Sequence, residues 1–234
     1  MRTRHTISLL ALVVTASPIR AFAQDLGDYA AYAALIVTPL GGFVPLGPVS
    51  GAAGGSAFVI RYGNLDPGGS GGSLHNFSLG GDLATQHGRL GLTLGGSACD
   101  GCDGNIMAGI DYTALLTQDV VSIGLRPALG FSKILDGGGT ALSLGLSLPV
   151  GAKLGGVTGP VFVPYVVPGF GFGRFSDEGE SESGTRPMLG GGFSIAGRQS
   201  TFALHVGFQK VFIEDGDMSI GLGMSFGRRV TSAP

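Results

Sequence analysis

Cys99 and Cys102 are the two cysteines of this chain, and they stand in the run Cys99-Asp100-Gly101-Cys102. Two thiols at that spacing serve thiol exchange, haem attachment, zinc binding or a structural disulfide. Exchange calls for a thioredoxin-like βαβ setting, which the flanking residues do not supply. Haem attachment calls for His where Asp103 stands, and zinc calls for two more ligands nearby. A disulfide closing a tight loop in an oxidising compartment is the reading that survives. The histidines give no better start for catalysis. His5 lies near the N-terminus, His75 and His87 fall at the ends of apolar segments, and His205 has no serine or acid at a spacing that suggests a nucleophile and its base. No catalytic residue, metal site or cofactor is expected. Asp177, Glu178, Glu180 and Glu182, set among Gly and Ser, read as a solvated loop, with weak divalent-cation bridging as the alternative.

Six polar residues that stand singly say more: Asp82, Arg89, Asp111, Arg126, His205 and Gln209. Their surroundings repeat every second residue. Leu142, Leu144, Leu146 and Leu148 alternate with Ser143, Gly145 and Ser147; Val121, Ile123, Leu125, Leu129 and Phe131 alternate with Ser122, Gly124, Arg126, Ala128 and Gly130. Phe202, Leu204, Val206 and Phe208 alternate in the same way with Ala203, His205, Gly207 and Gln209. Two is the period of a strand. A helix would need apolar residues three and four apart, and would absorb glycines at about 1 kcal/mol each relative to alanine.

The second face of these strands decides their solvent. A water-facing sheet surface carries Lys, Glu, Thr and Arg, whereas this one is mostly Gly, Ser and Ala, which suits the crowded interior of a narrow barrel whose apolar face meets lipid. The six polar residues then point into the lumen. Across the hairpin turns Asp82 lies diagonal to Arg89, and Asp111 to Arg126. Such pairs either satisfy buried charges and plug the barrel, or line a narrow pore.

Composition agrees. There are 45 glycines and no tryptophan, and charged residues make up 13% of the chain, against roughly 25% in typical soluble domains. No segment after the leader reaches the roughly 18 apolar residues of a membrane helix. Arg2 and Arg4, the apolar run from Ile7 to Val14, and Ala21-Phe22-Ala23 form the pattern of a secretory signal peptide over residues 1–23, with Sec-type export and cleavage near Ala23. Its loss removes three arginines and no acid, which takes the formal charge from −2 to −5. A mildly acidic chain with scattered bases has no footprint for nucleic acid.

Strands are expected near 51–62, 73–85, 88–97, 104–115, 119–132, 139–152, 159–175, 186–198, 201–214 and 217–227, about ten in all, with eight to twelve as the range. Longer or more polar links at 63–72, 98–103, 133–138 and 176–185 alternate with tight ones near 86–87, 116–118 and 199–200, in partial agreement with long outer loops and short periplasmic turns, since the link at 153–158 is longer than a tight turn and the outer link at 215–216 is short. The fold class is therefore all-β, a closed antiparallel up-and-down transmembrane β-barrel over residues 51–227. It is preceded by a segment at 24–50 that is either a short helix or a further strand pair, and followed by a tail at 228–234.

The last expected strand contains Ser219, Gly221, Met224 and Phe226: a polar residue, a glycine two on, then a hydrophobic and an aromatic residue two apart. It resembles the terminal-strand signal of outer-membrane proteins, although eight residues follow the aromatic, Gly227 to Pro234. The stretch Val163-Pro164-Tyr165 to Gly173 resembles the Pro-Tyr-Val and repeated-glycine strand of small bacterial outer-membrane β-barrel domain proteins, a functionally mixed family. The resemblance implies the outer membrane as location, and as partners its lipids, the barrel assembly machinery and periplasmic chaperones; it supplies no catalytic residues. The expected role is structural or at the cell surface. A narrow channel for small solutes and a soluble exported ligand-binding β-barrel are the alternatives.

Overall fold

The computed structural model describes residues 57–65, 74–85, 87–99, 102–118, 120–135, 139–155, 160–177, 179–196, 202–211 and 218–227. The expected signal peptide, the 24–50 segment and the 228–234 tail lie outside them. The alternating segments form eleven antiparallel strands: β1 (Ala57–Leu65), β2 (Leu74–Ala84), β3 (Gly88–Cys99), β4 (Cys102–Gln118), β5 (Val121–Ile134), β6 (Thr140–Ser147), β7 (Val150–Ala152), β8 (Val161–Asp177), β9 (Glu180–Ala196), β10 (Phe202–Val211) and β11 (Met218–Gly227). No described helix is long and apolar enough to cross a membrane.

The sheet closes on itself. Its order runs β4-β3-β2-β1-β11-β10-β9-β8-β6-β5, and β5 pairs in turn with β4. The last strand joins the first, Phe226 opposite Phe58 and Met224 opposite Ile60. Closure leaves no edge with unpaired backbone groups, which is what a strand array needs where water is absent.

β6 and β7 act as one crossing, so the eleven strands make ten crossings. The register against β5 pairs Arg126 with Ser147 and Ile123 with Val150, three residues further along both chains. The single strand expected at 139–152 is interrupted only at Leu148 and Pro149, because proline has no N–H to give the ladder. The gap is bridged: Leu148 N–H donates to the Pro168 carbonyl at 2.9 Å, and the Pro149 carbonyl accepts from Gly124 N–H at 2.9 Å.

Two links expected to be longer or more polar are short. β3 runs to Cys99 and β4 starts at Cys102, its register partner. β8 runs to Asp177 and β9 starts at Glu180, with Gly179 at φ 92° making the turn. The acidic run expected as a loop at 176–185 is therefore the tip of a hairpin. Its two strands have 17 residues each, against the roughly 9 to 11 that cross an outer membrane, and it projects from the end of the barrel that carries the β1–β2, β5–β6 and β10–β11 links. The tight turn between β4 and β5 at the other end is held by Thr117, whose hydroxyl donates to the Val121 carbonyl and accepts from Ile123 N–H, both at 3.0 Å.

Side chains sort by parity, with polarity reversed relative to a soluble sheet. Along β5, Ser122, Arg126 and Ser132 are buried while Leu125, Leu129 and Phe131 are exposed. On β6, Ser143 and Ser147 are buried while Leu142, Leu144 and Leu146 are exposed. The buried interior is lined by Ser, Thr, Arg and Asp, with Val59, Met107, Val163 and Met188 between them.

Candidate functional site

The lumen holds the charged side chains because the pleat turns every second residue inward and glycine leaves room there. Asp82, Arg89, Asp111, Arg126, His205 and Gln209 are all buried, as their parity implies. Arg126 Nε donates to Asp111 Oδ1 at 2.9 Å, the expected pair across the β4–β5 hairpin. Asp111 is the register partner of Gly91, and Gly91 of Asp82, so the two carboxylates flank a position that has no side chain. A Cβ at Gly91 would stand 2.8 Å from Asp111 Cγ. Gly91→Val is therefore expected to push the carboxylate off Arg126 and to cost about 1–3 kcal/mol, the range for overpacking. The measurement is the urea midpoint of the folded species, and an unchanged midpoint would mean that Asp111 has room to move.

Arg61 was not among the expected lumen residues, yet it joins the cluster. It is buried on β1; its Nη1 donates to Thr93 Oγ1 at 2.8 Å, and it packs against Gly80, where a Cβ would lie 3.2 Å from Nη1. Asp82 is within electrostatic reach of Arg61, Arg89 and Arg126, with Asp111 opposing it. The cluster thus sets three guanidinium groups against two carboxylates, and arginine does not lose its proton in proteins. The signal for Arg61 was present in the sequence. Val59, Arg61 and Gly63 share one parity against Phe58, Ile60 and Tyr62, but valine on the inner face blurs the alternation.

His205 and Gln209 line the wall on β10, one strand beyond the β11 that pairs with β1. His205 is not alone, as the sequence suggested. Its register partner is Ser194 on β9, and Ser194 Oγ and His205 Nδ1 are 2.7 Å apart. A serine and a histidine in contact are two parts of a nucleophile site; here His205 is 1% exposed and Ser194 is half-buried. Gln209 Nε2 approaches Met188 Sδ at 3.5 Å. Tyr165 leans across the wall to donate to the Val206 carbonyl at 3.4 Å, over Gly192, where a Cβ would lie 2.9 Å from the phenol oxygen. Neither Tyr165 nor Ser194 was anticipated, since each gains its partner only from the register.

Cys99 and Cys102 are register partners across β3 and β4; their side chains lie outside the described residues, as do those of Ser219, Gly221, Met224 and Phe226. The backbone of these last four lies in β11, the strand that closes the barrel. Among the described residues there is no group of three or more metal-ligating side chains.

Among solved structures the chain is similar to the β domain of the Bordetella autotransporter BrkA, at 13% identity over 75% of this chain and 100% of that one, with a TM-score of 0.50. The fold is that of an outer-membrane β-barrel domain. The N-terminal β-barrel domain of Pseudomonas aeruginosa OprF is also similar, at 15% identity over 75% of this chain and 98% of that one (TM-score 0.36). So is the attachment invasion locus protein Ail of Yersinia pestis, at 14% identity over 74% and 98% (TM-score 0.32). No protein family model matches the chain, and no curated protein matches it.

Proposed function

We propose that this protein is an integral β-barrel of the bacterial outer membrane, exported by a cleaved signal peptide, whose closed and salt-bridged lumen gives it a structural or surface role without catalysis. The reversal of burial carries the reading. Leu94 is 67% exposed while Arg126 is 3% exposed, an arrangement that water would oppose on both faces and a bilayer favours. The lumen cluster supports a plug rather than an open pore, because five charged side chains from β1 to β5 are packed out of reach of solvent. On this reading lipid is the principal partner, and the assembly machinery engages the strand that contains Ser219 to Phe226.

A narrow channel is the second reading, and one observation favours it. Asn76 Oδ1 and the hydroxyls of Ser97, Ser122 and Ser143 are buried without a protein partner, which calls for water within the lumen. Membrane fractionation with a heat-modifiability gel tests the barrel: it should need detergent for release and change mobility on boiling, whereas a soluble exported barrel would be released without detergent. Planar-bilayer recording then separates plug from pore. The plug predicts no steady conductance in the native protein, and unitary steps that grow in Arg126→Ala would replace it with the channel.

A further inference from the structure

Three strands end in the same step at the same rim. Phe131-Ser132-Lys133 on β5, Phe172-Gly173-Arg174 on β8 and Phe208-Gln209-Lys210 on β10 each turn the middle residue into the lumen and leave the aromatic and the base on the outer wall. All three run toward the end from which the β8–β9 hairpin projects. The other bases among the described residues lie elsewhere. Arg61, Arg89 and Arg126 are in the lumen, Lys153 is in the link after β7 at the opposite rim, and Arg186 alternates with the outward Thr185 and Pro187. Outward-facing bases on the described wall therefore occur at one rim, each one step beyond a phenylalanine.

Two of them share a site. Lys133 is the register partner of Thr140, and Thr140 of Ser176, which is two residues from Arg174 on the same face. Two strand spacings and a two-residue step put the Cα atoms of Lys133 and Arg174 roughly 12 Å apart, within the combined reach of two long side chains. Arg174 Nη2 donates to Ser181 Oγ at 3.4 Å, and Ser181 is the partner of Ser176. An ammonium, a guanidinium and three hydroxyls thus face the same side: Lys133, Thr140 and Ser176 form the row above Phe131, Leu142 and Arg174, and Arg174 stands two residues above Phe172. Of the acids nearby among the described residues, Glu180 is at the hairpin tip, Asp177 has the opposite parity to Ser176, and Glu182 is the register partner of Phe175, one position off the row that holds Ser176 and Ser181. Guanidinium and ammonium groups recognise phosphate oxygens, and the apolar wall below them meets acyl chains. We infer that this rim binds the phosphomonoester headgroup of a membrane lipid, and that it therefore faces the leaflet that carries such lipids.

The inference rests on the membrane-barrel reading above, and its test keeps the two apart. The full mature chain is folded into phosphatidylcholine bilayers that contain spin-labelled phosphatidic acid or spin-labelled phosphatidylcholine, and the motionally restricted fraction gives their relative association. Phosphatidic acid should be preferred by roughly threefold or more, given what a base near an anionic membrane surface contributes. The preference should fall to near parity in Lys133→Ala/Arg174→Ala/Lys210→Ala and at about 1 M salt, where screening is short-ranged, and should persist in Lys153→Ala. If the triple alanine variant does not fold, Lys133→Gln/Arg174→Gln keeps chain length and hydrogen bonding and should show the same loss. Parity in a heat-modifiable native protein, or a preference that survives these substitutions, overturns the headgroup site alone. A chain that never yields a heat-modifiable species overturns the membrane reading and the site with it.

Discussion

Leu144→Arg, on the outer face of β6, is expected to destabilise the folded barrel by about 2–4 kcal/mol, the cost of an arginine near the bilayer midplane. Leu144 is 47% exposed, stands between Leu142 and Leu146 on the same face, and has Phe172 as its register partner on β8. On a water-soluble sheet a residue this exposed accepts arginine within about 0.5 kcal/mol of neutral. The size of the effect therefore reports the solvent. Urea titration in vesicles, followed by the mobility of the folded band, measures it, with Thr140→Arg at the rim as the comparison. The depth dependence of the penalty predicts only about 0–1 kcal/mol at the rim. Equal, small costs at both positions would reject a lipid-facing wall.

The second large effect lies on the inner face. Asp111→Ala leaves Arg126 without its carboxylate and sets three lumen arginines against Asp82 alone. Breaking a buried pair from one side costs about 3–5 kcal/mol, because the remaining charge stays desolvated. Asp111→Leu/Arg126→Met removes both charges and should recover most of that loss, since an apolar pair of similar volume is often neutral in place of a buried ion pair. The same urea titration gives both numbers. A single variant as stable as the native protein would mean that lumen water solvates Arg126, and would move the balance toward the channel reading.

The strand pattern was legible because the chemistry of each face is nearly uniform. Leu142 to Leu148 and Phe202 to Phe208 place large apolar groups at every second position, and the lumen positions of Asp82, Arg89, Asp111, Arg126, His205 and Gln209 follow from parity alone. The Asp111–Arg126 pair was legible for a related reason: a tight turn ties the register of β5 to that of β4, so sequence distance converts into a diagonal contact. Strand ends were less legible. The stretches around Cys99 and from Asp177 to Glu182 are polar and glycine-rich, as loops are, yet hydrogen-bonded pairing carries both strands of each hairpin to within two residues of one another. Composition reports solvent exposure, and a hairpin that stands in water is as exposed as a loop.

The sequence by itself determined the period and the two faces, and brought the crossings to about ten within a range of eight to twelve, because alternation and turn chemistry are local properties of the chain. Only the tertiary structure decided who meets whom across strands far apart in sequence. Joining β11 to β1 closes the wall, and closure brings Arg61 of β1 within electrostatic reach of His205 on β10, one strand beyond β11. Register sets the Tyr165 hydroxyl against the Val206 carbonyl two strands away, and Lys133 two strands from Arg174. The physical reason is that a strand's neighbours are chosen by backbone pairing around the whole barrel, which no window of sequence contains.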